Sequence, residues 1–194
     1  MEIMNETVKQ ETVDAIRLDA ETAKAINRLM LDAWPHIAQQ KEGTTDFLMQ
    51  RWMSYKGSHL QRPLYHLAYR AGDLAALAHT FARTIASPEG SMTVMGLANV
   101  CVIKSEQGQG LGRQVVKAAF TRIERGDFKF CLFQTSSKVE LFYTRLGAVT
   151  VGNRFYNSFS EDPMANPFWE SVPMRYPAVC PWPASDIDLR GPGF

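Results

Sequence analysis

Lys104-Ser105-Glu106-Gln107-Gly108-Gln109-Gly110-Leu111-Gly112-Arg113 is the stretch on which the reading of this chain turns. Before it, residues 92–103 form a β-rich run ending in Asn99-Val100-Cys101-Val102-Ile103. After it, Val115, Val116, Ala119, Phe120 and Ile123 recur at helical spacing, and Gly126 is placed to stop that helix. A glycine-rich junction between strand and helix presents unpaired backbone N–H groups at the positive end of the helix dipole, where an anion can approach the backbone closely. The functional reading is a phosphate or pyrophosphate cradle. A P-loop is excluded because no Lys-Ser/Thr pair follows the glycines. A dinucleotide-binding loop needs G-x-G-x-x-G inside a βαβ unit, whereas these glycines alternate and follow strands joined by hairpins. A ligand-free tight turn would not need three alternating glycines.

Working outward, residues 12–18 read as a short strand, and Asp19 as the N-cap of a helix whose Ile26, Leu29, Met30, Ala33 and Ile37 share one face. Pro35 should end or kink it. A second helix is expected over residues 46–55. Strands follow over residues 64–69 and 74–85, joined by a hairpin turn at Ala71-Gly72-Asp73. Beyond the glycine loop and its helix come a strand over 128–133, a helix over 138–146 capped by Ser136 or Ser137 and ended by Gly147, and strands over 149–155 and 172–176. The order β-α-α-β-β-β-α-β-α-β-β predicts an α/β (α+β) fold: a mixed, mainly antiparallel central sheet flanked by helices.

The whole chain of 194 residues, 45% hydrophobic and 21% charged, is expected to form one globular domain. Seven of the ten prolines lie after Ser160. That stretch also carries Phe168, Trp169, Tyr176, Trp182 and Phe194, so residues 161–194 read as a docked extended segment and not a disordered tail. A net charge of +1 argues against a nucleic-acid binder. The average conceals an asymmetry. Residues 101–150 carry Lys104, Arg113, Lys117, Arg122, Arg125, Lys129, Lys138 and Arg145 against four acidic side chains, a balance of +4, which leaves −3 for the rest. A polyanionic ligand is drawn to such a segment. Cys101, Cys131 and Cys180 are odd in number and widely spaced, fitting a reducing compartment with no disulfide framework. Residues 1–10 do not read as a secretory signal, and no apolar run reaches the roughly 20 residues of a membrane span. A cytoplasmic location is expected.

Gln107, Gly110 and Gly112 occupy the signature positions of Q/R-x-x-G-x-G/A, and the loop resembles the cofactor motif of the GCN5-related N-acetyltransferase superfamily. The resemblance extends to the order of elements over residues 11–176. It implies that Gln107, Gly108, Gln109, Gly110, Leu111, Gly112 and Arg113 hold the pyrophosphate of acetyl-CoA. It also implies that the backbone of Val100, Cys101, Val102 and Ile103 receives the pantetheine arm as an added strand would. Lys104 departs from the proline that many members carry. Downstream, Ser136 through Ala148 resembles the second cofactor motif of that family, N-x-x-A-x-x-F-Y-x-x-x-G-F. Phe142, Tyr143 and Gly147 match, while Ser136, Val139 and Ala148 replace the commoner asparagine, alanine and phenylalanine.

The implied activity is N-acetyl transfer by direct attack of a primary amine, from a small molecule or a peptide, on the thioester. Tyr143 is the implied catalytic residue. A phenol of reference pKa about 10 is a weak acid beside a thiol near about 8.5, yet it can pass its proton to a thiolate as that charge develops. A backbone N–H near Val102 is the candidate oxyanion donor. Cys101 lacks a recognisable His-Asp partnership and reads as a strand residue. Candidate bases are His79, Glu89 or a water held by Asn99. His36, His59 and His66 lack metal-ligand spacing, so no metal is expected. Phe155, Tyr156, Phe159, Phe168 and Trp169 are candidates to wall an acceptor pocket, or to cover the sheet. Expected partners are a small-molecule amine, with neither nucleic acid nor membrane, and a homodimer is compatible. The competing readings are a CoA-binding sensor without transfer, and an acyltransferase using another acyl-CoA.

Overall fold

A computed structural model describes residues 7–40, 43–178 and 181–194; Cys180 lies outside the described residues. The chain folds as two compact units. The first contains β1 (Lys9–Asp14), α1 (Ala20–Ala33), α2 (Thr45–Gln50), β2 (Leu64–Arg70), β3 (Asp73–Ser87) as far as Thr80, β4 (Gly90–Val102) from Asn99 on, and α3 (Leu111–Glu124) as far as Ala119. The second contains the rest of β3, β4 and α3, with β5 (Cys131–Thr135), α4 (Ser137–Thr144), β6 (Val149–Thr150), β7 (Phe155–Tyr156), β8 (Val172–Tyr176) and β9 (Ile187–Asp188).

In the first unit, hydrogen-bonded neighbours run β1-β2-β3-β4, and the β1-β2 and β2-β3 pairs are antiparallel. The first strand occupies residues 9–14 instead of the expected 12–18. The Asp14 carboxylate accepts from the Ile16 amide at 2.9 Å and bends the chain into a short 3-10 turn. Asp19 caps α1 as expected, accepting from the Thr22 amide at 2.8 Å and its hydroxyl at 2.7 Å; those hydrogen bonds lower its pKa. Pro35 starts a separate 3-10 turn after Ala33. The second helix ends at Gln50, short of the expected residue 55, because the chain continues in tighter i to i−3 bonds from Met53 to Gln50 and from Tyr55 to Trp52. Ile26, Leu29 and Met30 of α1 pack with Leu48, Tyr65, Leu67, Leu77 and Cys101. Ala71 and Gly72, at φ of 51° and 88°, make the two-residue hairpin turn that the sequence announces.

In the second unit, β4 pairs with β5 in parallel at Met95/Cys131 and Gly96/Leu132, and β8 pairs antiparallel with both β5 and β6. The expected strand over 128–133 starts at Cys131, with Phe128 and Phe130 buried ahead of it. The expected strand over 149–155 is two short pieces. Its second piece, β7, runs parallel to β9, and β9 meets β3 at Ala86. Strand β8 occupies residues 172–176 as predicted. The C-terminal segment is docked through Phe168, which packs edge-on against Phe155 (4.9 Å) and Phe194 (5.6 Å). Phe159 and Trp169 instead face solvent, at 75% and 72% exposure. No helix among the described residues is long and apolar enough to cross a membrane.

Gly96 lies under the Phe81 ring: an added Cβ would stand 2.7 Å from that ring and 3.2 Å from Phe194. Gly96→Ala is therefore expected to destabilise the protein by about 1–3 kcal/mol through overpacking, read as a lower urea midpoint at an unchanged m-value.

Candidate functional site

The loop is built by a sequence of backbone constraints. After β4, Lys104–Glu106 form one 3-10 turn, and Gln107 leaves it in an extended conformation. Gly108 and Gly110 then adopt φ of +79° and +84°, the left-handed region that disfavours side chains. A Cβ at either position would meet no atom within 4 Å, so the glycines answer to backbone conformation, and the space over them is open. Gly110 accepts the first helical bond, from the Gln114 amide at 3.1 Å, and so stands as N-cap of α3. The amides of Leu111, Gly112 and Arg113 precede that bond and have no intrahelical acceptor. Gly112 lies inside the first turn of α3. This is a cradle of the kind an anion requires, with Lys104 and Arg113 exposed beside it.

Side chains fasten the loop within the first unit. Gln107 donates from Nε2 to the Val102 carbonyl at 3.2 Å. Gln10 of β1 donates to the Gln114 side chain at 3.1 Å. Arg70, the last residue of β2, donates from one guanidinium nitrogen to Glu106 at 2.5 Å and to the Gln109 side-chain oxygen. The sequence reading missed Arg70, because its partners lie 36 and 39 positions away and a lone arginine before a hairpin turn carries no local signal.

Of the four backbone positions expected to receive the pantetheine arm, Val100, Cys101 and Val102 lie on β4, while Ile103 follows it and has its amide committed to the Ala75 carbonyl at 2.9 Å. Asn99 has φ of +53°, a left-handed position that asparagine tolerates better than most residues. The Cys101 side chain belongs to the core. Burial, with the Asp32 charge adding to it, pushes its thiol up to about 12, which leaves no thiolate nucleophile near neutral pH.

In the second unit, α4 starts at Ser137 with Ser136 as N-cap, in extended conformation and accepting the Val139 and Glu140 amides at its carbonyl. The Ser136 hydroxyl makes no capping hydrogen bond. Tyr143 is 6% exposed, and its ring lies 4.6 Å from Phe133 and 4.9 Å, edge-on, from Phe142. Gly147 ends the segment at φ of +92°.

The candidate bases fare differently. His79 is fully buried, opposite Tyr65 in the β2-β3 ladder, stacked on its ring at 4.6 Å and tilted against Trp52 at 5.5 Å. That environment is a core position. Glu89 clasps the C-terminal segment, accepting from the Ser185 hydroxyl at 2.8 Å and from the Ala184 and Ser185 amides at 3.3 Å. Hydrogen bonds from the Ser87 and Ser185 side chains lead the causes that hold its pKa down to about 2, so it is a poor proton acceptor. His66 bridges Thr80 at 3.1 Å and Thr12 at 3.3 Å inside the sheet. The basic segment is also thinner than its formal charge. Arg122 is buried, pairs with Asp127 at 3.6 Å and covers the Phe128 ring at 4.9 Å, while Arg125 reaches the same carboxylate at 3.9 Å.

The architecture, a mixed and mostly antiparallel sheet with flanking helices, is the acyl-CoA N-acyltransferase fold. No family model matches the chain, and no curated protein matches it. Solved structures do. Glucosamine-6-phosphate N-acetyltransferase from Arabidopsis thaliana superposes with a TM-score of 0.59 at 14% identity, over 80% of this chain and 100% of that one. An acyl-CoA N-acyltransferase from Pseudomonas aeruginosa gives 0.57 at 18% identity, over 87% and 99%. ElaA from Escherichia coli gives 0.54 at 15% identity, over 87% and 99%.

The clasp at Glu89 sets a pH dependence. Its lowered pKa means that its stabilising contribution is complete above the unfolded carboxyl pKa, near about 4.5, and is lost as pH falls through about 2. Between pH 5 and pH 2 the melting temperature of Glu89→Gln is therefore expected to fall less than that of the parent. Equal acid sensitivity would dismiss the clasp.

Proposed function

We propose that this protein is an acetyl-CoA-dependent N-acetyltransferase of the GCN5-related superfamily, acting by direct attack of a small-molecule or peptide primary amine on the thioester. The observation that carries the reading is the cradle at residues 107–113. Two left-handed glycines with open space above them lead into a helix whose first amides have no intrahelical acceptor. The fold and both sequence motifs support the same reading.

An acyl-CoA supplies an activated acyl carbonyl, a thiolate leaving group and a diphosphate handle. The chain's residues divide the remaining work. The amides at 108–113 hold the diphosphate, Lys104 and Arg113 add positive charge, and Gln107 braces the loop against Val102. Backbone groups of Val100, Cys101 and Val102 align the pantetheine arm, with the Val102 N–H offered to the oxyanion. The Ser136 hydroxyl makes no capping hydrogen bond, and the family resemblance gives it to the cofactor. As the amine nitrogen bonds to the acyl carbon and the carbon–sulfur bond breaks, Tyr143 gives its hydroxyl proton to the departing thiolate, and the proton that the nitrogen sheds on becoming an amide returns to the phenolate through water. The acceptor must shed a proton before attack, since an ammonium has no lone pair. We assign that proton to water, held near Asn99, because His79 is fully buried and Glu89 is committed to its clasp. Cys101, with its thiol near 12, takes no part in a covalent step. Free thiols at Cys101 and Cys131 accord with a reducing, cytoplasmic setting.

Tyr143→Phe is expected to lower turnover with an accepted amine by roughly 100-fold, the middle of the range for a general acid, while calorimetry shows CoA affinity within about twofold of the parent. Unchanged turnover removes Tyr143 from the mechanism. Gly110→Asp places a side chain at φ of +84° and a carboxylate beside the diphosphate. It is expected to weaken CoA binding by about tenfold or more, equivalent to about 1.4 kcal/mol. Full affinity in that variant would refute the cradle, and CoA binding by the parent with no turnover across an amine panel would favour a sensor.

A further inference from the structure

The glycines that open the cradle also leave it with little reason to hold one shape. Gly108 and Gly110 have more backbone freedom to lose than any other residue type. A loop that must order itself on binding spends part of its affinity on that ordering. The loop also carries its own obstacle to an anion, since Glu106 places a carboxylate two residues before Gly108.

One side chain answers both problems. Arg70 closes β2 at the hairpin, where it stands opposite Asp73, so its backbone is fixed by the sheet. From there a single guanidinium nitrogen reaches Glu106 at 2.5 Å and also the side-chain oxygen of Gln109. These partners bracket Gln107-Gly108. Glu106 ends the 3-10 turn, and Gln109 stands between the two left-handed glycines. The arginine side chain is 21% exposed and the glutamate 23%, so the pair is partly shielded from solvent and less subject to screening than a surface ion pair.

We propose that Arg70 is a positioning residue for the acyl-CoA diphosphate: by clamping Glu106 and Gln109 it holds the glycine loop in its binding conformation and cancels the carboxylate beside the anion. The proposal rests on the cofactor reading of the loop. Arg70 touches neither the thioester nor the acceptor in this assignment, so its effect falls on cofactor affinity and not on the chemical step. A planar guanidinium presents several donors in a fixed fork, whereas a lysine ammonium is a point charge. Lysine at this position should therefore restore the charge cancellation and only part of the clamp.

The test is calorimetric titration of CoA into the parent, Arg70→Ala and Arg70→Lys, with steady-state kinetics on the same preparations. Arg70→Ala is expected to weaken CoA about tenfold and to raise KM for acetyl-CoA to match, with kcat at saturation within about twofold of the parent. Arg70→Lys should recover part of that loss. If Arg70→Ala fails to fold, Arg70→Met, which keeps the apolar stem and loses the charge, takes its place with the same expected loss. CoA affinity unchanged in the charge-removing variant, while the parent binds, would overturn the role of Arg70 alone. A fall in kcat at unchanged KM would do the same. A parent that does not bind CoA would overturn the cofactor reading and the Arg70 proposal with it.

Discussion

An α-helix cannot satisfy its own first amides, and the fold delivers that deficiency to one place. Strand β4 ends at Val102, a single 3-10 turn carries the chain to Gln107, and Gly110 caps α3 with its carbonyl alone. An Asp or Ser at the cap would turn a side-chain oxygen onto the N2 or N3 amide, as Asp19 does for α1. Glycine has no such oxygen. The stability forgone at this cap leaves the amides directed outward, and everything proposed for the loop depends on that choice of residue. Gly126 and Gly147 use left-handed backbone too, but to end a helix and not to begin one.

Charge explains less of the site than the sequence totals promise. Two of the eight cations in residues 101–150, Arg122 and Arg125, converge on Asp127, and the first of them is buried against Phe128. Glu106 lies in the loop itself, where Arg70 answers it from outside the segment. Lys104, Arg113 and the helix terminus supply positive charge beside the cradle, a short-range arrangement suited to a bound diphosphate. A segmental charge count cannot see this, because it assigns every ion pair to a position in sequence and none to a partner in space.

What was legible in the sequence was local. The hairpin at Ala71-Gly72, the Asp19 cap, the stops at Gly126 and Gly147, and the 172–176 strand all follow from short-range backbone chemistry. The misreadings have physical causes of the same scale. Asp14 bends the first strand early, and the i to i−3 bonds after Gln50 cut the second helix short. Strands β7 and β9 contain two residues each, too few to show a period. Long-range pairings were invisible: Arg70 to Glu106, and Glu89 to Ser185 across 96 positions. Glu89 is the instructive case, since a carboxylate in an exposed turn looks available for proton transfer until its partners are known.

Tyr143 shows why a core reading and a catalytic reading of one aromatic need not compete. Its ring packs against Phe133 and Phe142, and those contacts set the ring's position. A proton donor to a developing thiolate has to be held in place before the charge appears, because a mobile phenol would lose entropy at the moment of reaction. Packing on two rings restricts the side chain in that way, and 6% exposure limits the water that would compete for the same proton transfer. Cys101 marks the contrast within the same protein. It is buried to a similar degree with its thiol driven up to about 12, so burial makes it inert. A phenol starts the step neutral and ionises only as it passes its proton to the thiolate, whereas a thiol that must ionise before it attacks loses its reactivity on burial. On that ground the proposed direct transfer needs no cysteine intermediate.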